Sequence, residues 1–190
     1  MRSRLANTTF KVNFTLDEQD VAYFRRLFKQ ARLAAKRKSP EEVIAGAREL
    51  VVSVTRDKKA PRFVKDAVLA LEDLTDMIED TAYRAPKAVV SQILGALAYF
   101  AEPEDLIPDH VPVLGFLDDA IMIKFVEREF KYEIAAYRRF KRFRESAEQR
   151  PWTAVAKGRL PQRLEEKRKA LRAEVDRKKK VDEEKGRSGF

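Results

Sequence analysis

The chain has no cysteine, which excludes disulfides and thiolate metal sites, so its fold must rest on packing. It also lacks a long apolar run. The most hydrophobic stretch, Ala88 to Ala101, contains Ser91 and Gln92 and stops at Glu102 and Pro103. That falls short of the roughly 20 residues a membrane-spanning helix needs. The N-terminus begins Met1, Arg2, Ser3, Arg4 and continues in alternating polar and apolar residues, without the apolar core of a secretory signal. A soluble, cytoplasmic protein is the expectation. No glycine loop of the phosphate-cradling kind is present and no nucleophile–base pair stands out, so the sequence favours a non-enzyme while leaving an enzyme open. No internal repeat is found.

What is present is apolar surface in helical rhythm and an uneven charge. Hydrophobic residues make up 44% of 190 positions, enough for one main globular unit with extensions. The net charge of +9 is concentrated: residues 138–190 hold 19 Lys+Arg against 9 Asp+Glu, whereas residues 1–137 hold 21 against 22. Such an asymmetry favours anionic partners.

Strict alternation from Thr8 to Leu16 predicts one short strand, with Phe10, Val12, Phe14 and Leu16 on one face. A helix follows, with Thr15 and Glu18 in capping-box register and Val21, Phe24, Phe28 and Ala31 or Ala35 at helical spacing, to about Lys38. Ser39, Pro40, Glu41 and Glu42 start the next helix: a capping serine, a proline suited to the first turn, and acids at the positive dipole end. Further helices are expected after Pro61 and after Pro86, the latter ending at Pro103. One long helix should then run from about Phe116 towards Ala147. Beyond Pro161 the pattern predicts an exposed, charged helix, since Leu164, Leu171, Val175 and Val181 are its only sizeable apolar residues. The expected fold is therefore a mainly α compact bundle with one N-terminal strand and a charged C-terminal helical extension. Its parts are residues 1–38 (strand and first helix), 39–147 (core, with a hairpin at 88–147) and 148–190 (basic extension).

Residues 96–126 read ALAYFAEPEDLIPDHVPVLGFLDDAIMIKFV. Pro103, Pro108 and Pro112 remove amide donors and prevent one helix running straight into the next. Gly115 admits a conformation other residues resist, and Asp118 or Asp119 lies where a carboxylate favours a helix N-terminus. The combination of Pro103, Asp105, Pro108, Asp109, Pro112, Gly115, Leu117, Asp118 and Asp119 resembles the YkvA-like family of bacterial proteins. The resemblance implies a helical hairpin around an acidic loop and carries no established activity; some relatives are described as membrane-associated. Read by chemistry alone, Asp105, Asp109, Asp118, Asp119 and His110 form an oxygen-rich set that a divalent cation would suit, although the chain requires no cofactor. The alternative is that the aspartates cap helix ends and bond loop amides.

The N-terminal order of strand, helix and serine-capped helix is similar to a ribbon–helix–helix unit. That resemblance implies a homodimer through the strand, with Thr9, Lys11 and Asn13 facing base edges of DNA. The first helix, about 22 residues long by these boundaries, is long for that fold.

In the basic end, Tyr137-Arg-Arg-Phe-Lys-Arg-Phe-Arg144 interleaves aromatics with charge. Tyr132, Ala136, Phe140 and Phe143 share a helical face, so the aromatics either continue the core or serve as stacking or interfacial anchors. Arg138, Arg139, Lys141 and Arg142, with Lys167, Arg168, Lys169, Arg177, Lys178, Lys179 and Lys180, are the candidate partner-binding cations. The functional expectation is a scaffold or interaction protein whose basic arm binds an anionic partner: nucleic acid, ribosome or an acidic membrane surface. The alternatives are metal-dependent activity at residues 105–119 and a ribbon-type DNA-binding regulator.

Overall fold

The computed structural model describes residues 15, 17–34, 38–101, 116–149 and 158–186. They form seven α-helices: α1 Glu18–Ala34, α2 Pro40–Arg56, α3 Arg62–Glu79, α4 Lys87–Leu97, α5 Leu117–Glu129, α6 Lys131–Glu148 and α7 Leu160–Glu184, with a 3-10 turn, Ala98–Ala101, prolonging α4. The mainly α reading is right. No strand occurs among the described residues; of the strand expected over Thr8 to Leu16 only Thr15 is described, and it has no regular structure.

The helix starts follow local chemistry. At α2 the Ser39 hydroxyl accepts from the Glu42 amide at 3.2 Å while the Glu42 carboxylate accepts from the Ser39 amide at 2.6 Å, a complete capping box with Pro40 behind it. At α1 the cap is Asp17 rather than Thr15. Its carboxylate accepts from the amides of Gln19 (2.7 Å) and Asp20 (2.8 Å), and the Asp17 amide donates to the Asp20 carboxylate at 3.1 Å. An ionised carboxylate meets the helix's positive end better than a hydroxyl, which moves the boundary two residues on.

α3 is the axis of the bundle. Val64, Val68, Leu71, Leu74 and Met77 are all buried, and so are Ala67, Ala70 and Thr75 around them. It packs against α2, α4, α5 and α6. The 3-10 turn crosses α2 at Gly46, where an added Cβ would lie 2.6 Å from the Ala101 Cα. Only glycine permits that approach. α1 closes over the 3-10 turn and α4, with Phe28 buried and Phe24 meeting Phe125 at a 5.8 Å ring separation.

Two expectations need correction. The long helix expected from Phe116 to Ala147 is two helices, parted at Phe130, where φ is −102° and ψ is 21°. The hydrogen-bond ladder continues round the break, since the Phe130 amide donates to Val126 and its carbonyl accepts from Ile134. Phe130 is almost fully buried, so core packing of its ring overrides the helical preference of its neighbours. The second correction concerns α7, expected to be exposed and outside the core. Leu171 is 1% exposed within the core, and Leu164 and Val175 pack against it. Two residues past the end of α7, Gly186 takes a left-handed φ of +61°, and its amide donates to the Glu183 carbonyl at 3.0 Å.

Candidate anion-binding face and acidic turn

The site is built on two charge ladders. Along α3, Asp73, Asp76 and Asp80 fall one per turn; along α6, Arg138, Lys141 and Arg144 do the same. Arg138 meets Asp73 at 2.5 Å, Lys141 meets Asp73 at 2.8 Å and Asp76 at 3.7 Å, and Arg144 meets Asp80 at 2.7 Å. Numbers rise together on both helices, so α3 and α6 run in the same direction.

Asp80 also shapes the turn into α4. One carboxylate oxygen accepts from the amides of Ala82 and Tyr83, both at 2.9 Å, while the other accepts from the Tyr137 hydroxyl and Arg144. Burial pushes the Asp80 carboxyl upward, but the Tyr83 amide, the Arg144 guanidinium and the Ala82 amide together hold it below the ordinary carboxylate range. Burial raises the Tyr83 phenol to about 12, chiefly by penalising the phenolate. The turn passes through Arg84 at a left-handed φ of 51°.

α7 closes this turn. Arg168 donates to the Ala82 carbonyl at 3.1 Å, and Arg172 donates to the carbonyls of Tyr83 and Arg84. Along α6, which α7 crosses in the opposite direction, Arg139 pairs with Glu174 at 2.6 Å and Lys131 with Asp182 at 2.6 Å. Lys178 reaches Glu174 from within α7 at 2.8 Å, and buried Glu133 receives Lys179. The hydrogen bonds from Lys178 and Arg139 hold the Glu174 carboxyl at about 2.

The eleven candidate cations are thus sorted by geometry. Arg138, Arg139, Lys141, Lys178 and Lys179 pair with acids that join helices or brace such pairs; Lys169 pairs with Glu165 on α7 itself at 2.8 Å; Arg168 holds a backbone carbonyl. Lys167 lies over the Phe143 ring at 5.3 Å, beside Arg163 at 5.6 Å. Arg142, Arg177 and Lys180 are exposed and meet no acid among the described residues. The aromatics divide too: Tyr137 and Phe140 are buried, each 5.1 Å from the Tyr83 ring, so they are core and not stacking platforms. Tyr132 and Phe143 are half-buried under cations.

Of the acidic turn, Asp105, Asp109 and His110 lie outside the described residues, as do Thr9, Lys11 and Asn13 of the N-terminal segment. Asp118 and Asp119 sit in the first turn of α5, 4% and 7% exposed, where the helix dipole favours carboxylates. Among the described residues no three His, Asp or Glu side chains come together as a metal would require. The α3 acids escaped the sequence reading, although their spacing of three and four residues was the signal that could have found them.

Among the described residues the architecture is that of an all-helical bundle, with α4 and α5 on either side of residues 102–115 in the sequence. Within it, residues 89–125 match the model of a family described as "Protein of unknown function (DUF1232)", a bacterial domain to which YkvA-like proteins belong. No curated protein and no solved structure matches the chain. Among the described residues no helix is long and apolar enough to cross a membrane.

Proposed function

We propose that this is a non-enzymatic interaction protein that binds an anionic macromolecule in the cytoplasm through exposed cations of the α6–α7 layer. The observation that carries this reading is that Arg142, Arg177 and Lys180 stand in solvent without an acid among the described residues, while Lys167 lies over a half-buried ring. The reading narrows the basic arm to these four. Glu166 and Glu184 share the outward side of α7, which keeps the attraction weak and governed by salt.

The test is the quadruple variant Arg142→Glu, Lys167→Glu, Arg177→Glu, Lys180→Glu, assayed by fluorescence anisotropy with single-stranded RNA and by flotation with phosphatidylglycerol vesicles. If four phosphates are contacted, affinity for single-stranded RNA falls roughly 50-fold between 50 and 200 mM salt, and the variant loses this dependence. Salt-insensitive binding retained by the variant would refute the assignment. Affinity purification from native cells at low and high salt, with and without nuclease, then identifies the partner.

A further inference from the structure

A groove of about 710 Å³ opens between α1, α2 and α4. Val43, Val90 and Leu94 give it apolar walls, and Leu33, 56% exposed, stands at its edge. Lys29, Lys38 and Lys87 come to it from three separate stretches of chain, and among the described residues neither an acid nor an aromatic ring lines it. Lys38 is anchored on the Ala101 carbonyl, whereas Lys29 and Lys87 are exposed. The charge was legible in part: residues 1–38 hold 10 Lys+Arg against 3 Asp+Glu.

We infer that this groove binds a free long-chain fatty acid, its carboxylate between Lys29 and Lys87 and its acyl chain along Val43, Val90 and Leu94. The volume falls in the range of roughly 300–1,000 Å³ typical of small-molecule sites. Lysine ammonium groups only donate, so among the described lining side chains a peptide laid here would find just the Ser91 hydroxyl to accept from its amides. A nucleotide would find charge but, among the described residues, no ring on which to stack a base. A fatty acid brings neither demand: its head accepts and donates nothing when ionised, and its chain needs only apolar walls. This inference does not rest on the α6–α7 face, and its variants leave that face untouched.

The experiment is calorimetric titration of the full chain with sodium dodecanoate and tetradecanoate below their micelle concentrations, alongside dodecanol and acetate. Dodecanoate should bind, and tetradecanoate, with two more methylenes, about 5- to 15-fold more tightly. Dodecanol should bind at least about tenfold more weakly than dodecanoate, and acetate not measurably, because the site needs both charge and chain. The variant Lys29→Glu, Lys87→Glu, its fold checked by circular dichroism, should lose at least about tenfold in dodecanoate affinity. Val90→Asp, which puts a like charge on the wall, should do the same if the lysine variant fails to fold. The inference is overturned by absence of dodecanoate and tetradecanoate binding, by equal affinity for dodecanol, by unchanged affinity in a folded variant, or by attachment to phosphatidylglycerol vesicles without uptake of the monomeric acid.

Discussion

Replacing Leu171 with alanine asks whether α7 belongs to the folded body. Leu171 is 1% exposed, and its side chain joins the core between Leu164 and Val175. Truncating a fully buried leucine removes its transfer free energy and leaves a cavity, which together cost about 3 kcal/mol. For a chain of this size the urea dependence of unfolding is about 2 kcal/mol per molar, so the midpoint should fall by about 1.5 M. The assay is urea denaturation followed by circular dichroism at 222 nm, with Val181→Ala as the control. Val181 is 39% exposed and should cost less than about 1 kcal/mol. One cooperative transition, shifted by the leucine change far more than by the valine change, is the expected result. A midpoint unchanged in Leu171→Ala, or a separate early loss of about an α7's worth of helix with the body unshifted, would refute the docking.

Three further perturbations probe the contacts around α3. Asp73→Ala leaves Arg138 and Lys141 facing each other across a buried position and should cost roughly 1–3 kcal/mol, whereas Lys169→Ala, which breaks an exposed pair within α7, should change stability by less than about 0.5 kcal/mol; chemical denaturation of both separates them. Gly46→Ala drives a Cβ against the Ala101 backbone and should cost about 1–3 kcal/mol, seen as a lowered melting temperature. For Asp80 the folded carboxyl titrates below its unfolded value, so its stabilisation is complete above about pH 4 and fades as pH falls through the depressed folded value. Asp80→Asn should therefore melt lower than the natural chain at pH 7, with the gap closing towards pH 2; a gap independent of pH would rule out the Arg144 pair as its source.

Local signals were legible because their chemistry is local. Ser39 and Pro40 announce α2 within four residues, and the reader needs no tertiary knowledge to see a capping box. Pro61 and Pro86 mark the starts of α3 and α4 for the same reason. The break at Phe130 is different in kind, since nothing in its neighbours breaks a helix and only burial of the ring decides it. The docking of α7 is less legible still. Arg168 and Arg172 find carbonyls in a turn some 86 to 89 positions away, and one leucine supplies the fully buried anchor in a helix otherwise rich in charge.

The same distance dependence explains why net charge overstated the basic arm. A surplus of cations counted along the chain becomes surface potential only where folding has not brought acids to meet them. Here α3 contributes Asp73, Asp76 and Asp80 to α6, and α6 contributes Glu133 to α7, so charges from separate stretches neutralise one another across helix contacts. Deleting the C-terminal quarter would thus not remove an arm and leave a body; it would strip partners from Glu133 and the turn at Ala82 to Arg84, and expose the core facing Leu171. Loss of partner binding in such a truncation would report unfolding as readily as loss of charge. Reversing Arg142, Lys167, Arg177 and Lys180 on an intact body separates those two causes, because none of the four forms an ion pair among the described residues.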